Sequence, residues 1–312
     1  MAESFLEKLE QGVLVSDGGM GTLLYEQGDF TYPVCFEELN LSRPELVKQV
    51  HLGYRQAGAD ILQTNTFGAN RFRLRGLEGE AKLEEINRAG VQVARQVAGE
   101  ELLVAGSVGP LGAPLEPAGS ISIGQAGHAF REQIALLVSS GVDLVIIETM
   151  MDVNEAVIAL QAARSVDARL PVVVQMTIRE DGDTPTGTSP EEFTRRLDEA
   201  GADVIGLNCG VGPASMLKTL KRMASATTRK LSAQPNAGIP RKVEGRYIYE
   251  ISPESMAEYS GRFVQAGAAL VGGCCGTTPD HIRMIRKAVR RETENRPSGK
   301  GTESRPIIGQ IN

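Results

Sequence analysis

The chain has 312 residues, of which 41% are hydrophobic and 23% charged, as in a globular protein able to bury a sizeable core. A net charge of -6 disfavours a general nucleic-acid surface, and no apolar run is long enough to cross a membrane. Residues 1–11 lack a signal peptide's basic start and apolar centre, and four cysteines, two of them adjacent, fit a reducing cytoplasm better than a disulfide framework.

Length alone would suggest two domains, but the order of elements argues for one. Residues 13–16 read as a short apolar strand that runs into a glycine-rich turn, Asp17-Gly18-Gly19-Met20-Gly21. A helix is expected over 44–59, with Leu46, Val47, Val50 and Tyr54 on one face. A strand at 60–67, a helix over 83–98, a strand at 102–107 and a Gly/Pro-rich loop at 109–119 follow. Further helices are expected over 128–140, 154–166, 190–200, 214–224, 253–266 and 279–290. They alternate with strands at 144–148, 171–178, 204–208, 231–234 and 269–273. The pattern makes eight strand–helix pairs.

An internal echo supports that count. Gln56-Ala57-Gly58-Ala59-Asp60-Ile61 recurs as Ser140-Gly141-Val142-Asp143-Leu144-Val145, as Glu199-Ala200-Gly201-Ala202-Asp203-Val204 and as Gln265-Ala266-Gly267-Ala268-Ala269-Leu270. Each reads as a helix end, a glycine cap and the start of a strand. Apolar strands alternating with helices imply an α/β fold with a parallel sheet. Eight units imply a single-domain (β/α)8 TIM barrel over residues 1–290. A doubly wound open sheet is the alternative, although it seldom holds eight equal units. Residues 291–312 read as a linker-like tail, and Pro306-Ile307-Ile308-Gly309-Gln310-Ile311 as the possible beginning of a partner domain.

Functional groups of such a barrel gather where strands end. There the chain carries Asp17-Gly18-Gly19, Thr64-Asn65-Thr66, Ser107, Glu148-Thr149, Asn208-Cys209-Gly210, Pro235-Asn236 and Gly273-Cys274-Cys275-Gly276. Adjacent cysteines rarely serve a disulfide, and flanking glycines let both sulfurs face one point. With Cys209 they make a three-thiolate set with a fourth position open, the pattern of a catalytic zinc site. A lone Cys209 would read as a small buried hydrophobe, and Cys35 reads as an ordinary packed thiol. Glu148 closes an apolar run, either as a paired interior carboxylate or as a cation ligand. Asp17 either caps its turn or serves the site. The glycine turn lacks the P-loop lysine and the dinucleotide spacing, so it is a weak phosphate signal. His51, His128 and His281 fall on expected helices as surface or packing residues.

In these motifs the sequence resembles the homocysteine S-methyltransferase family, which includes the homocysteine-binding module of cobalamin-dependent methionine synthase. The matching segments also include Gln63-Thr64-Asn65-Thr66-Phe67, Ser107-Val108-Gly109-Pro110 and Pro235-Asn236-Ala237-Gly238, in family order over roughly residues 10–290. The resemblance implies a zinc-bound homocysteine thiolate that attacks an activated methyl group to form methionine. Cys209, Cys274 and Cys275 match the zinc ligands, and Asn236 is implied at the open position when substrate is absent. Glu148 matches the residue that holds the substrate ammonium. Asp17, Gly18 and Gly19 match the turn at its amino-acid end, and Thr66 and Ser107 carry over as further substrate contacts. No protein nucleophile is needed.

The methyl donor is narrowed but not named by the sequence. A betaine donor would need an aromatic cage, whereas the chain has no tryptophan and carries Gly68 where betaine enzymes have a tyrosine. The strand-two wording resembles the methionine synthase branch, whose methyl comes from a cobalamin carried elsewhere. A related group fuses the barrel to a methylenetetrahydrofolate reductase, and S-methylmethionine is the remaining donor. Two other readings stand beside a methyltransferase: a zinc-holding homocysteine module without its own donor site within a larger assembly, and a zinc barrel hydrolase or lyase. The lack of a histidine-rich ligand set counts against the last.

Overall fold

Eight strands rich in Val, Ile and Leu must bury both faces, and closing the sheet on itself inside a ring of helices does so. The computed structural model describes residues 3–28, 35–77, 80–243 and 246–294. Its parallel strands are β1 (Leu14–Val15), β2 (Ile61–Gln63), β3 (Leu103–Val108), β4 (Leu144–Met150), β5 (Val172–Met176), β6 (Val204–Asn208) and β7 (Lys230–Gln234). A short antiparallel hairpin, β8 (Arg241–Val243) and β9 (Arg246–Ile248), precedes the last barrel strand, β10 (Ala268–Val271). The sheet runs β1-β10-β7-β6-β5-β4-β3-β2, and a parallel bridge between Ser16 and Ile61 closes the ring. The expected (β/α)8 barrel is the fold observed.

Side-chain alternation divides the core into two layers. Leu14, Ile61, Leu103, Ala105, Leu144, Ile146, Val173, Val204 and Leu270 fill the lower interior. Helix α1 (Phe5–Gln11), capped by Ser4 and Glu7, plugs that end with Phe5 and Leu9. Outward residues such as Val104, Val145, Ile147, Val174 and Ile205 pack against the helices. Above the apolar layer the interior turns polar, with Ser16, Gln63, Ser107, Glu148, Gln175, Asn208, Ser232 and Gln234 at the strand ends. Gln175 Nε2 donates to Ser232 Oγ at 3.0 Å and to Gln234 Oε1 at 2.7 Å.

The recurrent Gly-x-Asp has a physical basis. Gly58, Gly141 and Gly201 end helices in the left-handed conformation (φ 94°, 94° and 88°), which favours glycine. Each aspartate then accepts a backbone N–H from the preceding strand: Asp60 from Val15 at 2.8 Å, Asp143 from Val104 at 2.7 Å and Asp203 from Val172 at 2.8 Å. Each also pairs with an arginine: Asp143 and Asp203 with Arg95 and Arg164 from the helix before that strand, and Asp60 with Arg286 from the last helix of the chain, which reaches the closing pair around the ring. The same clamp thus fastens three strand pairs, among them the closing pair β1 and β2.

The remaining helices are α2 (Met20–Gln27), α3 (Leu39–Ser42), α4 (Pro44–Ala57), α5 (Leu83–Ala98), α6 (Ile123–Ser139), α7 (Val153–Val166), α8 (Pro190–Glu199), α9 (Pro213–Ala224), α10 (Pro253–Gln265) and α11 (Pro279–Glu294). Helix α6 starts before the expected residue 128, because Ser122 and Gln125 form a capping box. Strand β2 stops at Gln63, short of the expected 67, as Thr66 N turns back to Thr64 O at 2.9 Å. Helix α11 continues through 291–294, and the rest of the expected tail, residues 295–312, lies outside the described residues. Among the described residues no helix is long and apolar enough to cross a membrane.

Candidate functional site

Three strand ends deliver the cysteines. Cys209 follows β6 in the left-handed conformation (φ 56°), a cost of about 1–2 kcal/mol for a residue with a β-carbon. Backbone bonds from Cys209 N to Gln234 O (3.2 Å) and from Val211 N to Cys209 O (2.7 Å) hold it there. Cys274 and Cys275 follow β10, tied to the β7 loop by Cys274 N to Pro235 O (2.9 Å) and Ala237 N to Cys275 O (2.9 Å). The three Sγ atoms lie within 4.8 Å of one another, and Cys209 and Cys275 are 3.9 Å apart. Tetrahedral zinc with Zn–S of about 2.3 Å needs sulfurs about 3.8 Å apart, so the donor set and its spacing fit that ion.

The sulfurs share charge unevenly. Hydrogen bonds from Cys274 and Cys275 hold the Cys209 thiol well below its ordinary value. The contact with Cys209, together with burial, pushes both Cys274 and Cys275 up. A divalent cation would take the place of the shared protons.

Glu148 stands beside the cluster at the end of β4. Its Oε1 accepts from Ser107 Oγ at 2.5 Å and its Oε2 from Asn208 Nδ2 at 3.0 Å. Burial pushes its carboxyl from 4.5 up to about 7, outweighing those hydrogen bonds. Asn208 Nδ2 also lies 2.8 Å from Thr149 Oγ1 and 3.8 Å from Cys274 Sγ. Asp17 is buried, and desolvation raises it likewise to about 7. Its Oδ2 accepts from Gln63 N (2.8 Å) and its Oδ1 from Gln63 Nε2 (3.0 Å), so the carboxylate is already turned toward β2.

The glycine turn is fitted to the cysteine loop. A β-carbon on Gly19 would come within 2.8 Å of Cys274 O, and one on Gly18 within 2.5 Å of Thr277 Oγ1. Gly19 N donates to Thr277 Oγ1 at 3.0 Å, while Tyr54 Oη donates to Gly19 O (2.9 Å) and Thr277 O (3.0 Å). Asn236 is also at the cluster. Its Oδ1 accepts from Cys275 N at 3.1 Å, and its side chain hydrogen-bonds Cys209.

Of the residues singled out from sequence, Cys209, Cys274, Cys275, Asn236, Glu148, Ser107 and the Asp17–Gly19 turn come together at the barrel mouth. Thr66 does not face it. Its Oγ1 donates to Ser107 O at 2.8 Å and pairs with Thr64 Oγ1 at 2.6 Å, so it braces β3 from behind. Cys35 is half-buried away from the cluster, 3.5 Å from Glu37 Oε2. His51 and His281 are buried and His128 is exposed on α6, in line with packing and surface roles.

Sequence reading missed Asn208 as a bridging group, and it missed Tyr249. The Tyr249 ring covers Gly276, where an added β-carbon would come within 2.1 Å of it. Burial and the neighbouring sulfurs raise its phenol, which hydrogen-bonds Cys275. No local pattern marks a tyrosine that a hairpin folds back over the mouth.

The sequence model for homocysteine S-methyltransferase matches residues 14–289. Methionine synthase of Mycobacterium leprae is 35% identical over 302 residues, covering 92% of this chain and 25% of that protein. Methionine synthase of Mycobacterium tuberculosis is 33% identical over 301 residues, covering 91% and 25%. The chain thus spans about a quarter of the length of these relatives. Crystal structures of the homocysteine methyltransferase MmuM from Escherichia coli superpose with a TM-score of 0.72 for the apo form (27% identity, 92% of this chain and 98% of that one). The metallated form gives 0.74 (26% identity, 89% and 96%). The expected enzyme class, a methyltransferase, is that of these relatives. The chain belongs to the homocysteine S-methyltransferase family.

Proposed function

We propose that this barrel binds zinc through Cys209, Cys274 and Cys275 and methylates the thiol of L-homocysteine to give methionine. The observation that carries the reading is the convergence of three sulfurs within 4.8 Å of one another close to the Glu148 carboxylate. Zinc, when bound, supplies a Lewis acid that lowers the pKa of a substrate thiol held at its open position.

The chain's own residues bind and orient. Glu148, held by Ser107 and Asn208, takes the substrate ammonium, which draws the carboxyl into its charged form. The turn at Asp17, Gly18 and Gly19 meets the amino-acid end. The substrate proton leaves to solvent, the sulfur lone pair forms the new S–CH3 bond, and the bond from methyl to its donor breaks with its electron pair going to the donor. Asn236, which hydrogen-bonds Cys209 and accepts from Cys275 N, would supply a further ligand to the metal when substrate is absent. The reaction belongs to a cytoplasmic setting, where the thiols stay reduced.

The donor in this reading is methylcobalamin or a methyltetrahydrofolate-linked module rather than a small onium compound. The match to a quarter of methionine synthase supports it. So do five exposed apolar side chains, Leu77, Ile123, Met151, Ile239 and Ile248, all in or beside the loops that follow strands. Turnover with S-methylmethionine but not with methylcobalamin would reverse the donor assignment. Zinc without turnover from any of these donors would favour a homocysteine module that acts only within a larger assembly. The zinc assignment is tested by metal analysis of Cys274→Ala, which is expected to lose zinc and activity while keeping a cooperative thermal transition. Full zinc in that variant would contradict the ligand set.

A further inference from the structure

The amide of Asn208 touches both halves of the site. Its Nδ2 lies 3.0 Å from Glu148 Oε2, 2.8 Å from Thr149 Oγ1 and 3.8 Å from Cys274 Sγ. Its Oδ1 accepts from Thr149 N at 2.7 Å, which settles which end of the amide carries the nitrogen. The residue is 1% exposed, so each of these contacts is made out of water, where it is strongest. Two N–H groups face three acceptors, and the amide cannot turn toward the carboxylate or toward the sulfur without losing the other. Thr149 pays for the arrangement with a left-handed backbone (φ 60°), so the end of β4 is held against its own preference to keep this contact. Ser107 fixes the other carboxylate oxygen.

We propose that Asn208 is a positioning residue that sets the orientation of Glu148 relative to the cysteine cluster, so that one ligand can present its ammonium to the carboxylate and its sulfur to the metal. The proposal rests on the homocysteine reading given above. Asn208 acts through Glu148 and Cys274 and touches no reacting atom. Its loss therefore weakens recognition of the ammonium specifically, rather than thiol binding in general.

The test is calorimetric titration of the zinc-loaded full chain with L-homocysteine and with its desamino analogue, which keeps the thiol and the carboxylate. Asn208→Ala and Asn208→Ser are compared with the parent, with zinc content and melting temperature measured on the same samples. Both variants are expected to keep zinc, to bind homocysteine about tenfold or more weakly, and to bind the desamino analogue as the parent does. Asn208→Ser, with a small polar side chain, decides the matter if the alanine variant does not fold. Equal losses for both ligands, undiminished homocysteine binding, or loss of zinc from a folded variant would overturn the proposal. A parent protein that holds zinc but does not bind homocysteine would instead overturn the substrate reading beneath it.

Discussion

Glu148 is placed where a carboxylate is costly, and that cost has two consequences. Because burial raises its pKa from 4.5 to about 7, the folded metal-free barrel prefers it protonated. The stability this contributes is present below about 4.5 and is lost as pH rises through about 7. Removing the charge with Glu148→Gln should therefore raise the melting temperature of the metal-free protein relative to the parent more at pH 8 than at pH 5. Thermal melts at the two values check this, and an equal difference at both would count against the burial argument. In the zinc-loaded protein, Glu148→Ala should weaken homocysteine binding by about tenfold or more while leaving zinc content unchanged, measured by calorimetry and metal analysis. Glu148 was legible in the sequence because a charged residue ends the run Val145-Ile146-Ile147. Asn208 was not, because an asparagine at a strand end is ordinary and its partners lie 59 to 66 residues away.

 Within that network Ser107 is 41 residues from Glu148, and Asn208 is 66 residues from Cys274.

At the scale of elements, the joints between strands and helices set the geometry of the mouth. Tyr54 of α4 reaches across to Gly19 O and Thr277 O and so holds the glycine turn against the loop that carries Cys274. Tyr54→Phe leaves both carbonyls without that donor in a buried setting and should cost about 1–2 kcal/mol, read from denaturant unfolding. An unchanged midpoint would show that the turn needs no such support. At the opposite end of the barrel, Asp203 accepts from Val172 N and from Arg164. Asp203→Ala should destabilise by about 1–3 kcal/mol without altering zinc content, since the clamp is remote from the cysteines. The Gly-x-Asp echo made these joints visible in the sequence, although its arginine partners could not be read. Arg95 and Arg164 lie 48 and 39 residues before their aspartates, and Arg286 lies 226 residues after Asp60, on the last helix. Helix α2 and the hairpin β8–β9 were also missed, because short elements with little periodicity carry almost no local signal.

For the whole molecule, eight apolar strands alternating with helices were enough to imply a closed parallel barrel, and closure puts all strand ends on one face. The cysteines were legible for the same reason: a vicinal pair between glycines, and a third cysteine two strands away, fall on that face. What sequence could not supply was depth. It did not distinguish Thr66, which braces β3 from behind, from Ser107, which holds Glu148. Nor did it foresee that Tyr249 would fold over Gly276 and partly roof the sulfurs. The resulting mouth sets buried carboxylates close to the three sulfurs, with Leu77, Ile123, Met151, Ile239 and Ile248 exposed in or beside the loops that follow strands.

The central claim is that the substrate sulfur completes the shell formed by Cys209, Cys274 and Cys275. X-ray absorption at the zinc edge, recorded on the zinc-loaded protein with and without L-homocysteine, tests it most directly. The account predicts three sulfur neighbours without homocysteine and four with it. A zinc shell that homocysteine leaves unchanged would contradict the account.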